Sequence, residues 1–474
     1  MTSQSQPPAA SRAPAGAEEI TLSVGPPAHG GHCVARPAQD PTGRVIFVRH
    51  ALPGESVRAR MTEKNAKIWR ADAVEILQAS PDRVTSVWPQ AGPGGVGGGE
   101  LAHVALPAQR TWKRWVLADC LRRIGGPQVQ EAVAALPEAA GSGSIGIEPM
   151  PSEADGAEPG RARRRAPGTA TRTRVSLSVG PDGRAGMHVF RSGTVLPLET
   201  LPLAVPAIQE IGLLERSRWR KHYRPGARIE AIAPSAGEPL VLIDGRVLTS
   251  SARSTGRRRV EEVVEAGGLG LGELHYSVHA EGFWQIHHQA PQVLVERVVR
   301  AALGAAPGTG PGDAGEDPGQ AAPGRRVLEL FSGSGLFTLP LAMLVGSSGM
   351  VLSQEASGRA VGDARRNLHG WSRAHLATGR VTARSVARAA TAFEGGGPDA
   401  VVLDPPRQGA GREVCRAVAA LGAERIVLVA CDPASLSRDL ATLLGSGYRL
   451  AAMSALDMFP HTHHFETIAV LVRG

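Results

Sequence analysis

Apolar and polar residues alternate near the start of the chain, and this pattern predicts β-strands. Ile20, Leu22 and Val24 are separated by polar residues, and a second segment near residue 57 repeats the alternation. A period of two places successive apolar side chains on one face of a strand, and Gly/Pro turns separate the segments. We therefore expect residues 18–80 to form a five-stranded barrel of the OB type.

The middle of the chain mixes β-rich segments with low-complexity stretches. Alternating apolar residues around a Pro-Asp-Gly turn predict a hairpin over 175–189, and a helix is predicted over 107–124. Residues 137–171 are rich in Gly, Ala, Pro and Arg, which favours a disordered insertion. We expect residues 81–280 to be a β-rich central domain that contains this insertion.

The periodicity changes in the last third of the chain. From residue 326 onward, short apolar strand segments alternate with helical segments, which is typical of a parallel sheet with crossover helices. Residues 281–474 are therefore predicted to be an α/β Rossmann-like domain. Two Pro/Gly/Ala-rich stretches are expected to lack fixed structure, namely the tail 1–17 and the segment 305–325.

Charge narrows the possible partners of the chain. Its 474 residues carry a formal net charge of +8, which suits a polyanion such as nucleic acid. Only four of the 52 basic residues are lysine, so the bias of a GC-rich genome is an alternative source of the arginine excess. No apolar run is long enough to span a membrane and no signal peptide is evident, so we expect a cytoplasmic protein.

The barrel segment combines cations with an aromatic ring. Its candidate RNA-binding cations are Arg58, Arg60, Lys64, Lys67 and Arg70. Trp69 lies among them, and single-stranded nucleic acid is held by phosphate contacts to cations and by bases stacked on aromatic rings. An ordinary solvated basic face explains the same residues equally well.

A glycine turn between a strand and a helix predicts a cofactor site. Gly333 and Gly335 follow the strand that starts at residue 326, and glycine lets a ligand approach the main chain closely. Glu355 ends the next strand, where a carboxylate accepts hydrogen bonds from ribose hydroxyls. Because a third glycine is missing, the pattern favours S-adenosylmethionine over a dinucleotide.

Polar residues also follow the next two strands. Asp404 ends one strand and precedes two prolines, and Cys431 ends the next, so both are expected at the same cleft. Glu466 lies between apolar residues, where burial would raise its pKa and suit a general base. The alternatives are an Asp-Pro turn, a structural cysteine and an exposed strand glutamate. A metal site at the nearby histidines is not expected, because no carboxylate or cysteine with ligand spacing accompanies them.

Six segments then indicate a family. Five of them resemble the bacterial uracil-C5 RNA methyltransferases that make 5-methyluridine: FWQIH (283–287), LELFSGSGLFTLPLA (328–342), VLDPPRQG (402–409), VACDPASLSRDL (429–440) and DMFPHTHHFET (457–467). A sixth, FVRHALPGESVRARM (47–61), resembles the TRAM domain that many members carry. The resemblance implies a class I methyltransferase domain and a covalent mechanism.

Site roles follow from this resemblance. Cys431 matches the nucleophile that adds to uracil C6, and Glu466 matches the base that removes the C5 proton. Four further positions match residues around S-adenosylmethionine: Gln285, Phe331, Glu355 and Asp404.

The chain also departs from the family pattern. The loop 86–103 has none of the cysteines that hold an iron–sulfur cluster in many members, so no cluster and no zinc are expected. Leu336 and Glu329 replace the Asn and Asp common at cofactor positions. Asp432 replaces an Asn beside the nucleophile, and an ionised carboxylate there is expected to oppose formation of the Cys431 thiolate.

Alternatives to uridine methylation in RNA remain open from sequence. A non-catalytic RNA-binding protein with a decayed methyltransferase domain is one, although both Cys431 and Glu466 are present. An amino-group methyltransferase is another, but Arg407 occupies the place where those enzymes carry an aromatic residue. The TRAM-like barrel favours large-subunit ribosomal RNA over tRNA as the target, and we expect a monomer.

Overall fold

A computed structural model provides the structure of the protein. It describes residues 18–154, 165–215, 217–304, 324–393 and 396–474. The predicted tail 1–17 lies outside these ranges, as do 305–323 of the predicted flexible segment. Within the described residues, no helix is both long and apolar enough to cross a membrane.

The first unit is the five-stranded barrel that the alternation predicted. Its strands close in the order β1-β2-β3-β5-β4. Leu22, Val57 and Ala59 are fully buried in its core, and the intervening Arg58 is exposed, as a period of two requires. The strands are β1 (Glu19–Ala28), β2 (His32–Pro37), β3 (Ile46–Arg49), β4 (Ser56–Lys64) and β5 (Trp69–Gln78).

The segment after the barrel packs against the C-terminal domain. It contains helices α1 (Leu106–Cys120) and α2 (Pro127–Ala134) and the short strand β6 (Ile147–Glu148). Leu117, Val129 and Ile147 share one apolar cluster with residues of the C-terminal sheet. The predicted boundary at residue 81 therefore marks the end of the barrel, but not the start of one continuous central unit.

The disordered insertion predicted near 137–171 is wrong for residues 137–154. This part is fixed because Ile145, Ile147 and Met150 are buried and β6 pairs in parallel with a strand of the C-terminal sheet. Residues 165–171 are also described, whereas 155–164 lie outside the described ranges. The low-complexity composition does not reveal that these three apolar residues are buried and hold the segment in place.

The central sheet has six strands in the order β12-β11-β10-β7-β8-β9. The predicted hairpin is its β7–β8 pair. Trp219 and Ile229 are fully buried in its core. The elements are β7 (Arg174–Val179), β8 (Ala185–His188), β9 (Val195–Pro197), α3 (Pro206–Gln209), α4 (Ser217–Arg220), β10 (Arg228–Ile232), β11 (Leu240–Ile243) and β12 (Arg246–Thr249).

A separate hairpin, β13 (Arg259–Glu265) with β14 (Glu273–His279), completes the region that was assigned to the central domain. Its Val264 and Tyr276 are buried in the cluster that contains Leu294 and Val327 of the C-terminal domain. The hairpin thus packs with that domain, and the boundary predicted at residue 280 divides one apolar core.

The C-terminal domain is the predicted α/β unit, built on an eight-stranded sheet in the order β17-β16-β15-β18-β19-β21-β20-β6. Strands β15 to β19 are parallel, and β21 is antiparallel to both of its neighbours. Its elements are α5 (Ala290–Leu303), β15 (Arg326–Leu330), α6 (Thr338–Leu344), β16 (Met350–Glu355), α7 (Gly358–Asn367), β17 (Ala374–Thr378), α8 (Ala383–Ala390), β18 (Ala400–Leu403), α9 (Arg412–Ala420), β19 (Arg425–Ala430), α10 (Pro433–Leu444), β20 (Tyr448–Leu456) and β21 (Glu466–Arg473).

Candidate active site

The strand order reverses between β15 and β18, and ligands of open α/β sheets bind at such a reversal, beyond the carboxyl ends of the strands. The predicted glycine turn lies there. Gly333 and Gly335 have φ of +55° and +87°, a region that favours glycine. A Cβ on Gly335 would lie 3.3 Å from the Cβ of Ala364 on α7, whereas one on Gly333 would meet no atom within 4 Å. The absence of a side chain at Gly335 therefore lets the turn pack closely against α7. The absence of a side chain at Gly333 leaves its backbone accessible beside an open space.

Glu355 lies at this turn, as predicted. One of its carboxylate oxygens accepts a hydrogen bond from the Gly333 backbone N–H at 3.1 Å. The other accepts from the Ser357 backbone N–H at 2.7 Å. The carboxylate thus holds the glycine turn in place, and each oxygen keeps a further lone pair for a ligand.

Glu329 adds a buried carboxyl beneath the turn. Its Oε2 accepts hydrogen bonds from Thr338 Oγ1 at 2.6 Å and Ser353 Oγ at 2.7 Å, while Oε1 has no partner among the described residues. Burial, opposed by these two hydrogen bonds and assisted by the nearby Asp404 and Glu355 carboxyls, raises the Glu329 pKa to about 7. Three carboxyls near bare backbone suit a ligand that carries positive charge, and the sulfonium of S-adenosylmethionine meets that requirement.

Strand register brings Cys431 and Glu466 together. β19 and β21 are antiparallel, and Ala430 pairs with Thr467 at the end of β19. Cys431 directly follows Ala430 and Glu466 directly precedes Thr467, so the two side chains lie close enough for the Glu466 charge to raise the pKa of the Cys431 thiol. Thr467 Oγ1 donates a hydrogen bond to the Ala430 carbonyl at 2.7 Å and fixes the strands at this point.

Asp404 completes the group from the neighbouring strand. It follows β18, and its backbone N–H donates to the Leu330 carbonyl at 3.3 Å, which ties it to the strand that precedes the glycine turn. Burial raises the Asp404 pKa to about 7. The predicted nucleophile, base and Asp404 therefore lie at the ends of adjacent strands.

Electrostatics raise the pKa values of both Cys431 and Glu466. Burial raises the pKa of the Cys431 thiol to about 12, and Glu466 and Asp404 add to the effect, while Arg407 opposes it. Burial, followed by the Asp404 charge, raises the pKa of Glu466 well above its usual range. Since a nucleophile and a base must both lose protons, the arrangement favours activity at higher pH.

Asp432 does not behave as the sequence suggested. Its Oδ1 accepts from the Ser435 backbone N–H at 2.8 Å, so it caps the N-terminus of α10, and its Oδ2 lies 2.8 Å from His29 Nε2. These hydrogen bonds lower the Asp432 pKa to about 2, against the effect of burial. The two carboxyls that raise the Cys431 pKa are Glu466 and Asp404, so the expected opposition from the adjacent residue is replaced by a helix cap.

Gln285 and Phe331 are less directly connected to the turn. Gln285 lines a cavity of about 760 Å³ together with Glu153 and His287. Among the described residues, no hydrogen bond joins the Gln285 side chain to the glycine turn. Phe331 adopts φ of +65° directly after β15, and its side chain packs against the apolar cluster below the sheet.

The predicted RNA-binding cations of the barrel are mostly paired. The ion pairs are Arg58–Glu75 at 2.5 Å, Arg60–Glu19 at 3.0 Å, Lys64–Glu18 at 2.7 Å and Arg70–Glu63. Lys67 makes no ion pair within the described part of the chain. Because the four pairs are largely exposed to solvent, they are weak and can exchange for phosphate contacts.

The histidines of the segment before β21 contact other parts of the protein. His461 is buried, and its imidazole lies 3.1 Å from Gln109 Nε2 and 2.9 Å from the Pro167 carbonyl. The His463 and His464 rings are tilted by 41° with their centroids 3.9 Å apart, and His464 Nε2 lies 3.3 Å from the Arg407 guanidinium. In the described ranges, no group of three or more His, Cys, Asp and Glu residues could hold a metal ion.

Sequence reasoning missed a buried ion pair beneath this segment. Lys113 of α1 binds Asp457, and both side chains are fully buried. The Lys113 ammonium also donates to the Phe459 carbonyl at 3.1 Å. The sequence signal for this ion pair is a rare lysine in an amphipathic helix, and that signal does not indicate which carboxylate pairs with it.

Comparison with known proteins gives consistent matches. Residues 320–474 match the family described as tRNA (Uracil-5-)-methyltransferase. An uncharacterized RNA methyltransferase of Streptomyces avermitilis is 38% identical, over 96% of this chain and 98% of the relative. The 23S rRNA (uracil(1939)-C(5))-methyltransferase RlmD of Alkalilimnicola ehrlichii is 30% identical, over 91% of this chain and 92% of its own length.

A solved structure agrees in fold. The Pyrococcus abyssi tRNA (uracil-54, C5)-methyltransferase, in complex with S-adenosyl-L-homocysteine, superimposes with a TM-score of 0.62 at 19% identity. The match covers 95% of this chain and 99% of the other. The barrel, the central region and the α/β domain thus have counterparts in one known architecture.

Proposed function

Because this chain belongs to the family of uracil-C5 RNA methyltransferases, which use S-adenosylmethionine, we propose that it works through a covalent bond between Cys431 and C6 of the target uridine. We further propose that the uridine lies in large-subunit ribosomal RNA. The observation that carries the mechanism is the pairing of Ala430 with Thr467, which brings the adjacent residues Cys431 and Glu466 near each other. The rRNA target is supported by the 30% identity to RlmD over nearly the whole chain.

The proposed steps follow from the chemistry of uracil, whose C5 is a poor nucleophile. The Cys431 thiolate adds to C6, which places negative charge on C5 and O4 and makes C5 able to attack a methyl group. C5 would then take the methyl group of the sulfonium, and the electrons of the broken S–CH3 bond would stay on that sulfur, which leaves as a neutral thioether. Glu466 then accepts the C5 proton, the electrons of the C5–H bond form the 5,6-double bond, and the C6–S bond breaks to restore the thiolate. Arg407 supports the first step, because its charge lowers the cost of the thiolate.

The glycine turn and its carboxyls are proposed to hold the cofactor. Glu355 would accept hydrogen bonds from the ribose hydroxyls, while the bare backbone at Gly333 would allow close approach. Gln285, Phe331, Gly335 and Asp404 are proposed to line the same site. When bound, S-adenosylmethionine supplies an electrophilic methyl group.

Glu355→Gln should weaken cofactor binding by about 1–3 kcal/mol, because it removes a charged acceptor while retaining one oxygen near the turn. Isothermal titration with S-adenosylmethionine measures this loss. Glu424→Gln, an exposed surface change, is the matched control and should leave the affinity unchanged. An unaltered affinity in folded Glu355→Gln protein would contradict the assignment.

The barrel is proposed to contribute RNA affinity through Arg58, Arg60, Lys64, Lys67 and Arg70. Lys64 lies 4.6 Å from the Trp69 ring centroid, so a cation and a stacking surface occur together. Phosphate binding would replace the carboxylate partners that four of these side chains now have, namely Arg58, Arg60, Lys64 and Arg70. The cytoplasmic location and the monomeric state expected from the sequence stay predictions.

Mapping 5-methyluridine in a strain without this gene tests the proposed target. We expect one 23S rRNA uridine to lose its methyl group, and the wild-type gene to restore it. A Cys431→Ala gene that produces folded protein should not restore it. Loss of methylation in tRNA instead would identify tRNA as the target, and unchanged methylation of both RNAs would favour a non-catalytic RNA-binding protein.

A further inference from the structure

The turn between β1 and β2 of the barrel contacts both sides of the candidate active site. His29 Nε2 lies 2.8 Å from Asp432 Oδ2, and Asp432 directly follows Cys431. A Cβ on Gly31 would lie 3.1 Å from His463 Nδ1, in the segment that leads to Glu466. The turn therefore reaches the chain next to both proposed reactive residues.

The contact is part of a larger docking surface. The apolar core of the barrel includes Trp112 and Val116 of α1, and Ala434 in the first turn of α10 packs against it. The barrel thus rests on the helix that begins immediately after Cys431. Its position relative to the nucleophile is fixed by packing, and the histidine adds a polar contact at the edge of this surface.

Asp432 places a carboxylate next to a residue that must become an anion. Its two oxygens are held separately, Oδ1 by the Ser435 backbone N–H and Oδ2 by His29. The first bond belongs to the helix cap and is local to α10. The second comes from another domain, and it restrains rotation of the side chain about its Cα–Cβ bond, which is the rotation that would move the carboxylate.

We propose that His29 is a positioning residue for methyl transfer, which holds the Asp432 carboxylate away from the Cys431 thiolate. The proposal rests on the proposed role of Cys431 as the nucleophile. It assigns the barrel a second task besides RNA affinity, because one of its side chains completes the electrostatic environment of the reactive thiol.

Other charged groups also surround Cys431 and Asp432. Cys431 faces Glu466 from β21 and the Asp404 and Arg407 side chains from the segment after β18. Asp432 is surrounded by His29 and Ser435, and it lies close enough to Cys120 of α1 to affect that thiol. Of all these groups, His29→Ala removes only the His29 imidazole, so a change in Cys431 reactivity would report on the freed Asp432 carboxylate.

The test is the pH dependence of Cys431 alkylation in the full-length protein. Cys431 is partly exposed, while Cys33, Cys120 and Cys415 are buried, so iodoacetamide labelling followed by peptide mass spectrometry can follow the one thiol. In His29→Ala, we expect labelling at fixed pH below the thiol pKa to slow by about threefold to tenfold, because a nearby like charge disfavours the thiolate. The kcat for methylation should fall to a similar extent, with the KM for RNA unchanged.

Two further variants separate positioning from folding. His29→Ala/Asp432→Asn should recover the wild-type labelling profile, since an amide still caps α10 but carries no charge. His275→Ala is the matched control, because His275 is also an exposed histidine beside a carboxylate, 3.5 Å from Glu273. It should change neither labelling nor kcat.

Two results would overturn the proposal. One is an unchanged labelling profile and kcat in folded His29→Ala protein. The other is a raised KM for RNA with normal labelling, which would make His29 an RNA contact. Failure of the proposed nucleophile is recognised separately, because Cys431→Ala would then still methylate RNA whatever the labelling shows.

Discussion

Cys431→Ala should reduce methylation of the target uridine by more than about a thousandfold, because no other described thiol lies at the cleft and no covalent bond to C6 can form. The variant should still bind RNA and S-adenosylmethionine. Methylation of target RNA with radiolabelled cofactor measures the loss. Cys33→Ala removes a buried thiol from the barrel core and is the control, with activity retained.

Glu466→Gln should fail at a later step. It keeps the nucleophile and can transfer the methyl group, but an amide cannot accept the C5 proton, so the enzyme should stay attached to methylated RNA. A labelled, slowly migrating band on a denaturing gel would show this adduct. The different fates follow from the proposed roles of the two residues, which act on neighbouring carbons of the base at successive steps.

Contrary outcomes have distinct meanings. If Cys431→Ala still methylates uridine, the covalent mechanism is wrong. If Glu466→Gln turns over normally and no adduct appears, another group removes the proton. Asp404 is then the next group to test, because it lies at the same cleft and burial raises its pKa to about 7.

Lys113→Met should destabilise the protein by about 3–5 kcal/mol, which is the usual cost of breaking a buried ion pair by removing one partner. The substitution keeps most of the side-chain volume but leaves the Asp457 carboxylate buried without its cation. Asp457 Oδ2 already lacks a hydrogen-bond partner among the described residues, so nothing else compensates. Urea denaturation followed by circular dichroism measures the change.

The companion variants test this explanation. Lys113→Met/Asp457→Leu should recover most of the loss, because an apolar pair does not require charge compensation. Arg325→Met breaks the exposed pair with Glu424 and should cost less than about 1 kcal/mol. A Lys113→Met protein as stable as the wild type would show that the buried pair contributes no net stability.

Much of the fold was predictable because it depends on short-range periodicity. Alternation within each strand predicted the barrel and the β7–β8 hairpin, and the switch to alternating strands and helices predicted the C-terminal sheet. Strand β6 was not predictable. It has two residues, its partner β20 is about three hundred residues away, and its composition resembles a linker.

The site was predictable where it depends on strand ends, and less so where it depends on side-chain partners. Asp404 and Cys431 were placed from the ends of neighbouring strands, whereas Glu466 was identified from its apolar flanks and from the family resemblance. The capping role of Asp432 could have been predicted, since an Asp followed by Pro is typical of a helix start. Its position next to Cys431 suggested an effect on the thiolate instead. His29 could not be identified, because its partner lies 403 positions away in another domain.

The antiparallel insertion of β21 also determines where the chain tolerates changes in length. An extra residue in the turns between α10 and β20 would leave Cys431 and Glu466 near each other, because the ladder around them would be unaltered. One extra residue inside β21 would shift the pairing and turn Glu466 to the other face of the sheet. Deletions and insertions accumulated among functional relatives should therefore concentrate in the first region and be absent from the second.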